Sequence, residues 1–147
     1  MDKRVLVVDN DRFCVELLGD ILSQAGYQVS KAYDGMEALE IIQAEPGRRK
    51  RLWEITRIMN TELTAMGYHT GNTETPIIPV FINDMEKTFM MWKFLRDYGV
   101  FTNPVIAPAV PPEDSLIRTS FTATHTDSDL EFILQGFKQG GKQLGLI

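Results

Sequence analysis

Apolar positions along the chain switch between a strand-like and a helical spacing, and the switches divide it into short elements. Arg4-Val-Leu-Val-Val8 is a β-branched run that ends at Asp9-Asn10-Asp11, the pattern of a short buried strand entering a polar loop. Asp11 is placed to cap a helix whose apolar positions are Cys14 or Val15, Leu18, Ile21, Leu22 and Ala25, with Gly26 as its stop. Gln28 to Ala32 reads as a second strand, and Asp34-Gly35 turns the chain into a further helix that runs to Pro46-Gly47. The first part is therefore a β-α-β-α unit.

Beyond the proline, Leu52, Ile55, Met59, Leu63 and Met66 fall on one face of a helix that Gly67 ends. Pro76 to Ile82 reads as a strand whose two prolines mark a start or an edge. Asn83-Asp-Met-Glu86 opens a helix with Phe89, Trp92 and Leu95 or Tyr98 as its buried stripe, and Gly99 closes it. Val100 to Asn103 and Leu116 to Thr122 read as strands on either side of a proline-rich connection. Thr126-Asp-Ser-Asp129 caps a last helix with Leu130, Ile133, Leu134 and Phe137 turned inward. Trp53, Trp92 and the methionines read as core.

Composition adds mainly exclusions. A chain of 147 residues with 44% hydrophobic and 24% charged residues has the make-up of a globular domain able to bury a core, so bulk disorder is not expected. The net charge of -5 gives no global attraction to nucleic acid or to an anionic membrane. No apolar run approaches the roughly 18 residues of a membrane span, and a cytoplasmic protein is expected. Cys14 is the single cysteine, which excludes an internal disulfide and reads as a packed thiol. The basic run Arg48-Arg-Lys-Arg51 reads as a solvated helical turn, and His125 as part of a capping segment.

Two sets of words carry resemblances. Val5-Leu-Val-Val-Asp9, Leu17-Leu-Gly-Asp-Ile-Leu-Ser-Gln-Ala-Gly-Tyr-Gln-Val29 and Ala32-Tyr-Asp-Gly-Met-Glu-Ala-Leu39 resemble the first half of a response-regulator receiver domain over residues 1–42. That resemblance implies a weak magnesium site at Asp9, Asn10 and Asp11, since hard cations want several oxygen ligands. It supplies no phosphoacceptor, because the later strands of that family have no counterpart here. The same aspartates also read as loop and helix-cap groups.

The second set is Ala38-Leu-Glu-Ile-Ile-Gln-Ala-Glu-Pro46, Arg51-Leu-Trp-Glu-Ile-Thr-Arg57, Thr75-Pro-Ile-Ile-Pro-Val80, Tyr98-Gly-Val-Phe-Thr-Asn-Pro-Val-Ile-Ala-Pro-Ala-Val-Pro-Pro112 and Ile117-Arg-Thr-Ser-Phe-Thr-Ala-Thr-His-Thr126. These resemble the C-terminal small domain of the α-oxoamine synthase family over residues 38–147. Members of that family use pyridoxal phosphate (PLP) to join an amino acid to an acyl-CoA. The resemblance implies that Arg118 grips a substrate carboxylate, as a planar guanidinium can with two parallel donors. It brings neither the cofactor-binding lysine nor the rest of the large catalytic domain.

The expected architecture is α/β (α+β): a two-layer sandwich, β-α-β-α half joined through the shared helix to a small domain with a mixed or antiparallel sheet, in one compact unit. The expected function is a chimera, engineered or fused from gene fragments, with no catalytic residues, no bound cofactor and no turnover of its own. Two other readings stay open. One is noncovalent binding of a small carboxylate or PLP through Arg118. The other is a signalling or docking module with residual metal binding. A homodimer is expected on the grounds that oxoamine synthases are dimers and that a truncated surface exposes apolar patches.

Overall fold

The computed structural model describes residues 4–147, and the chain divides after Arg49 into two compact units, the second being Lys50–Ile147. The sequence expectation was one compact body whose segments, 1–42 and 38–147, meet at the shared helix. The division between the two units falls within the helix that begins at Pro46. The five strands form two separate sheets, one of two strands and one of three.

The first unit is the β-α-β-α unit read from the pattern: β1 (Arg4–Val8), α1 (Arg12–Gln24), β2 (Gln28–Ala32) and α2 (Gly35–Ala44). β1 and β2 pair in parallel, Val5 opposite Val29 and Val7 opposite Lys31. Asp11 caps α1 by accepting from the backbone N–H groups of Phe13 at 2.8 Å and Cys14 at 3.3 Å. Asp34 caps α2 in the same way. The buried side of α1 is Val15 and Gly19, and the latter packs under the Lys31 side chain. Leu18 and Ile21, expected inward, are instead exposed, because a two-stranded sheet is too narrow to cover the whole apolar arc of the helix.

The second unit comprises α3 (Pro46–Ala65), β3 (Ile77–Phe81), α4 (Met85–Tyr98), β4 (Asn103–Val105), β5 (Leu116–Ser120) and α5 (Asp127–Gln143), with one 3-10 turn at Pro112–Asp114. Its sheet is antiparallel in the order β3-β5-β4, and helices cover one face. Ile78, Val80 and Ile117 point from that face into a core completed by Ile55, Met59 and Leu63 of α3, Met91 and Leu95 of α4, and Leu130 and Phe137 of α5. Burial of this cluster, at about 25 cal/mol per Å² of apolar surface, is the main force holding the unit together.

Three details depart from the pattern. The buried side of α4 is Thr88, Met91 and Leu95, while Phe89 is half exposed. β4 begins at Asn103, because Val100 still donates its N–H to Leu95 O to finish the end of α4 at Gly99, whose φ of 104° favours glycine. Trp53, Met36, Met85 and Met90, read as core, are exposed. Among the described residues no helix is long and apolar enough to cross a membrane.

Candidate functional site

β5 alternates between its two faces: Ile117 and Thr119 are buried, whereas Arg118 and Ser120 stand on the face that no helix covers. The register places Arg118 between Pro79 of β3 and Asn103 of β4, in a row across the three strands. Proline and asparagine offer this arginine no charge. Among the described residues the ion pairs involve other cations, and no carboxylate lies within salt-bridge reach of Arg118. An exposed guanidinium held on a strand, with its donors uncommitted, can take a carboxylate through two parallel hydrogen bonds.

Asp9, Asn10 and Asp11 are all exposed in the turn after β1. One Asp9 oxygen accepts the Asp11 N–H at 2.9 Å, and one Asp11 oxygen is taken up by the helix cap. Among the described residues no cluster of three or more acidic, histidine or cysteine side chains converges on a common point. The loop-and-cap use of these groups is therefore what the geometry displays. Asp11 also holds the Cys14 thiol above its ordinary pKa, which keeps it protonated rather than nucleophilic.

The described lysines do not fit covalent capture of an aldehyde cofactor. Lys31 donates to Glu16 at 2.6 Å, and that bond raises its pKa, the opposite of the activation a nucleophilic amine needs. The other described lysines are exposed.

A cleft of about 230 Å³, which no local pattern announces, lies between the segment after α4, the end of β5 and the first turns of α5. Its polar groups serve the fold. His125 Nδ1 accepts from Thr122 N–H at 3.0 Å. Asp129 accepts from the backbone N–H of Thr126 at 2.8 Å and from its hydroxyl at 2.7 Å, closing the capping box predicted from the pattern. Thr102, also on the wall, has a buried hydroxyl with no partner, a feature that no local motif announces.

A two-layer α+β domain with an uncommitted arginine on its bare sheet face is thus the class of protein this second unit defines. No family model matches the chain. Serine palmitoyltransferase of Sphingobacterium spiritivorum is 47% identical over 108 residues, covering 71% of this chain and 27% of that protein. The 8-amino-7-oxononanoate synthase of Symbiobacterium thermophilum is 42% identical over 112 residues, covering 76% and 29%. Among solved structures, the Sphingomonas wittichii serine palmitoyltransferase superposes with a TM-score of 0.64 at 34% identity, over 67% of this chain and 25% of that one. A serine palmitoyltransferase solved as its PLP internal aldimine gives the same score at 35% identity.

About three quarters of the chain is homologous to the C-terminal part of these α-oxoamine-synthase-type enzymes, and the chain spans little more than a quarter of the length of the curated relatives it matches.

Proposed function

We propose that Lys50–Ile147 is the carboxylate-gripping arm of a PLP-dependent acyltransferase of the serine palmitoyltransferase kind, with Arg118 as the grip. In this reading the chain has no turnover of its own. The observation that carries it is the place of Arg118: on the bare face of the sheet, between Pro79 and Asn103, without an acidic partner among the described residues. Binding through a single exposed bidentate contact is weak, with a Kd on the order of 1–10 mM for a small carboxylate. Serine, named by the relatives, is the first ligand to try. The described lysines support the absence of turnover, since Lys31 has a raised pKa and the others are exposed, so none of them has the surroundings of an activated amine in a pocket.

The first unit is, in the same proposal, a receiver-like half joined to this arm through α2 and α3. Its parallel β1–β2 pair and the acidic turn after β1 support that part.

The test has two arms. Calorimetric titration with serine should give heat that disappears in Arg118→Ala, and equal binding by the variant would remove the assigned grip. Incubation with PLP, serine and an acyl-CoA should release no CoA thiol above buffer, and release would overturn the statement on turnover.

A further inference from the structure

The first unit is poor in core. Among the described residues its buried apolar side chains are Val7, Val15, Ala32 and Ala38, and a core this small supplies little stability without a metal, disulfides or association. Against that, α1 carries an exposed apolar stripe: Phe13 is 72% exposed, Leu17 47% and Ile21 53%, with Leu18 beside them. Three of these residues are spaced by four, so they form one ridge along the helix.

The charges of α1 lie off that ridge and are engaged within the unit. Glu16 accepts from Lys31 at 2.6 Å and from the Tyr33 hydroxyl at 2.5 Å, Asp20 lies 3.7 Å from Lys31, and the Arg12 guanidinium sits over the Tyr33 ring. Covering the stripe therefore desolvates no free charge, which is what a stable apolar contact requires.

We propose that a second copy of this chain covers it, with two α1 helices crossing antiparallel about a two-fold axis at Leu17. The ridge has equal spacing to either side of Leu17, so the axis sets Phe13 against Ile21 of the partner subunit and Leu17 against its own equivalent. This is the self-complementary surface that an isologous contact needs. The bare apolar surface of the stripe is on the order of 400 Å² per copy. With its rim, the two copies would bury about 1,000 Å², the lower bound for a specific interface, and the association is micromolar or weaker.

Sedimentation equilibrium of the full chain from 1 to 300 µM tests this. The expected mass rises with concentration from 16.7 kDa toward twice that value. Leu17→Glu should weaken association at least tenfold with an unchanged far-ultraviolet spectrum, while Phe89→Ser, on the exposed side of α4, leaves it as it was.

Should Leu17→Glu fail to fold, cysteine pairs decide. In a Cys14→Ser background, Leu17→Cys cross-links to its own copy under mild oxidation, whereas Gln24→Cys, seven residues from the axis, does not. A monomer at every concentration, which would leave the stripe to some other partner, overturns the proposal. A dimer indifferent to Leu17→Glu, or cross-linking at residue 24 in preference to 17, does the same.

Discussion

The Tyr68 hydroxyl donates to the backbone carbonyl of Phe137 at 2.7 Å, and the Tyr68 ring meets the Phe137 ring edge-on at 5.8 Å between centroids. One residue just past α3 thereby fastens α5 both through a polar contact and through packing. Tyr68 is buried, and burial raises its pKa, so the phenol stays a donor through the whole accessible pH range. Tyr68→Phe keeps the ring and loses the hydrogen bond, which should cost about 1 kcal/mol. Tyr68→Ala opens the core as well and should cost about 3–5 kcal/mol. Urea denaturation of both variants separates the two contributions, and equal losses would contradict the division.

Gly140 of α5 marks how closely α4 and α5 approach. A methyl group there would stand 2.7 Å from Phe94 Cδ1 and 2.8 Å from Met91 Sδ. Gly140→Ala should therefore destabilise by about 1–3 kcal/mol through overpacking, although alanine is the better helix former by about 1 kcal/mol. Gly47, which has nothing within 4 Å, is the control: alanine there should be neutral or stabilising. A stabilised Gly140→Ala in a thermal melt would mean that the helices part freely.

The α5 cap sets an acid dependence. The backbone N–H of Thr126, and then its hydroxyl, hold the Asp129 carboxyl below the ordinary range in the folded state. A folded pKa lower than the unfolded one gives stability that is present above the unfolded value, about 4, and is lost as pH falls through the folded value. The urea midpoint of Asp129→Asn should accordingly fall less steeply between pH 5 and 2 than that of the parent chain. Thr126→Ala should cost about 1 kcal/mol at neutral pH. Parallel pH curves for Asp129→Asn and the parent would show the carboxylate to be idle.

Element order was legible in the sequence, because caps and stops are local: Asp11, Asp34, Asp84 and Thr126 each accept from the first turn of the helix they precede. The phase of α4 was not. Phe89, Met90, Met91, Trp92, Phe94 and Leu95 are apolar almost all round, so periodicity cannot choose a face. Thr88 goes inside because its hydroxyl donates to Asp84 O at 2.7 Å and needs no other partner. Trp53 and the outer arc of α1 failed for the opposite reason: their burial depends on how much neighbouring surface exists, which no window of sequence reports.

The place of Arg118 was legible as a strand residue. Its freedom from acidic partners among the described residues was not, since that depends on Pro79 and Asn103 from two other strands. The cleft beside α5 was invisible for the same reason, being walled by residues 99–102 together with residues between 119 and 133, which only the fold brings face to face.

Arg118 as the carboxylate grip is the claim on which the rest turns, and its own side-chain signal reads it most directly. In a two-dimensional nitrogen–proton spectrum, the Arg118 Nε–Hε resonance, assigned by its loss in Arg118→Lys, should move saturably as serine is added to about 50 mM, on the order of ten times its Kd. Serinol, which lacks the carboxylate, should leave it in place. A resonance unmoved by serine, or moved equally by serinol, would contradict the assignment.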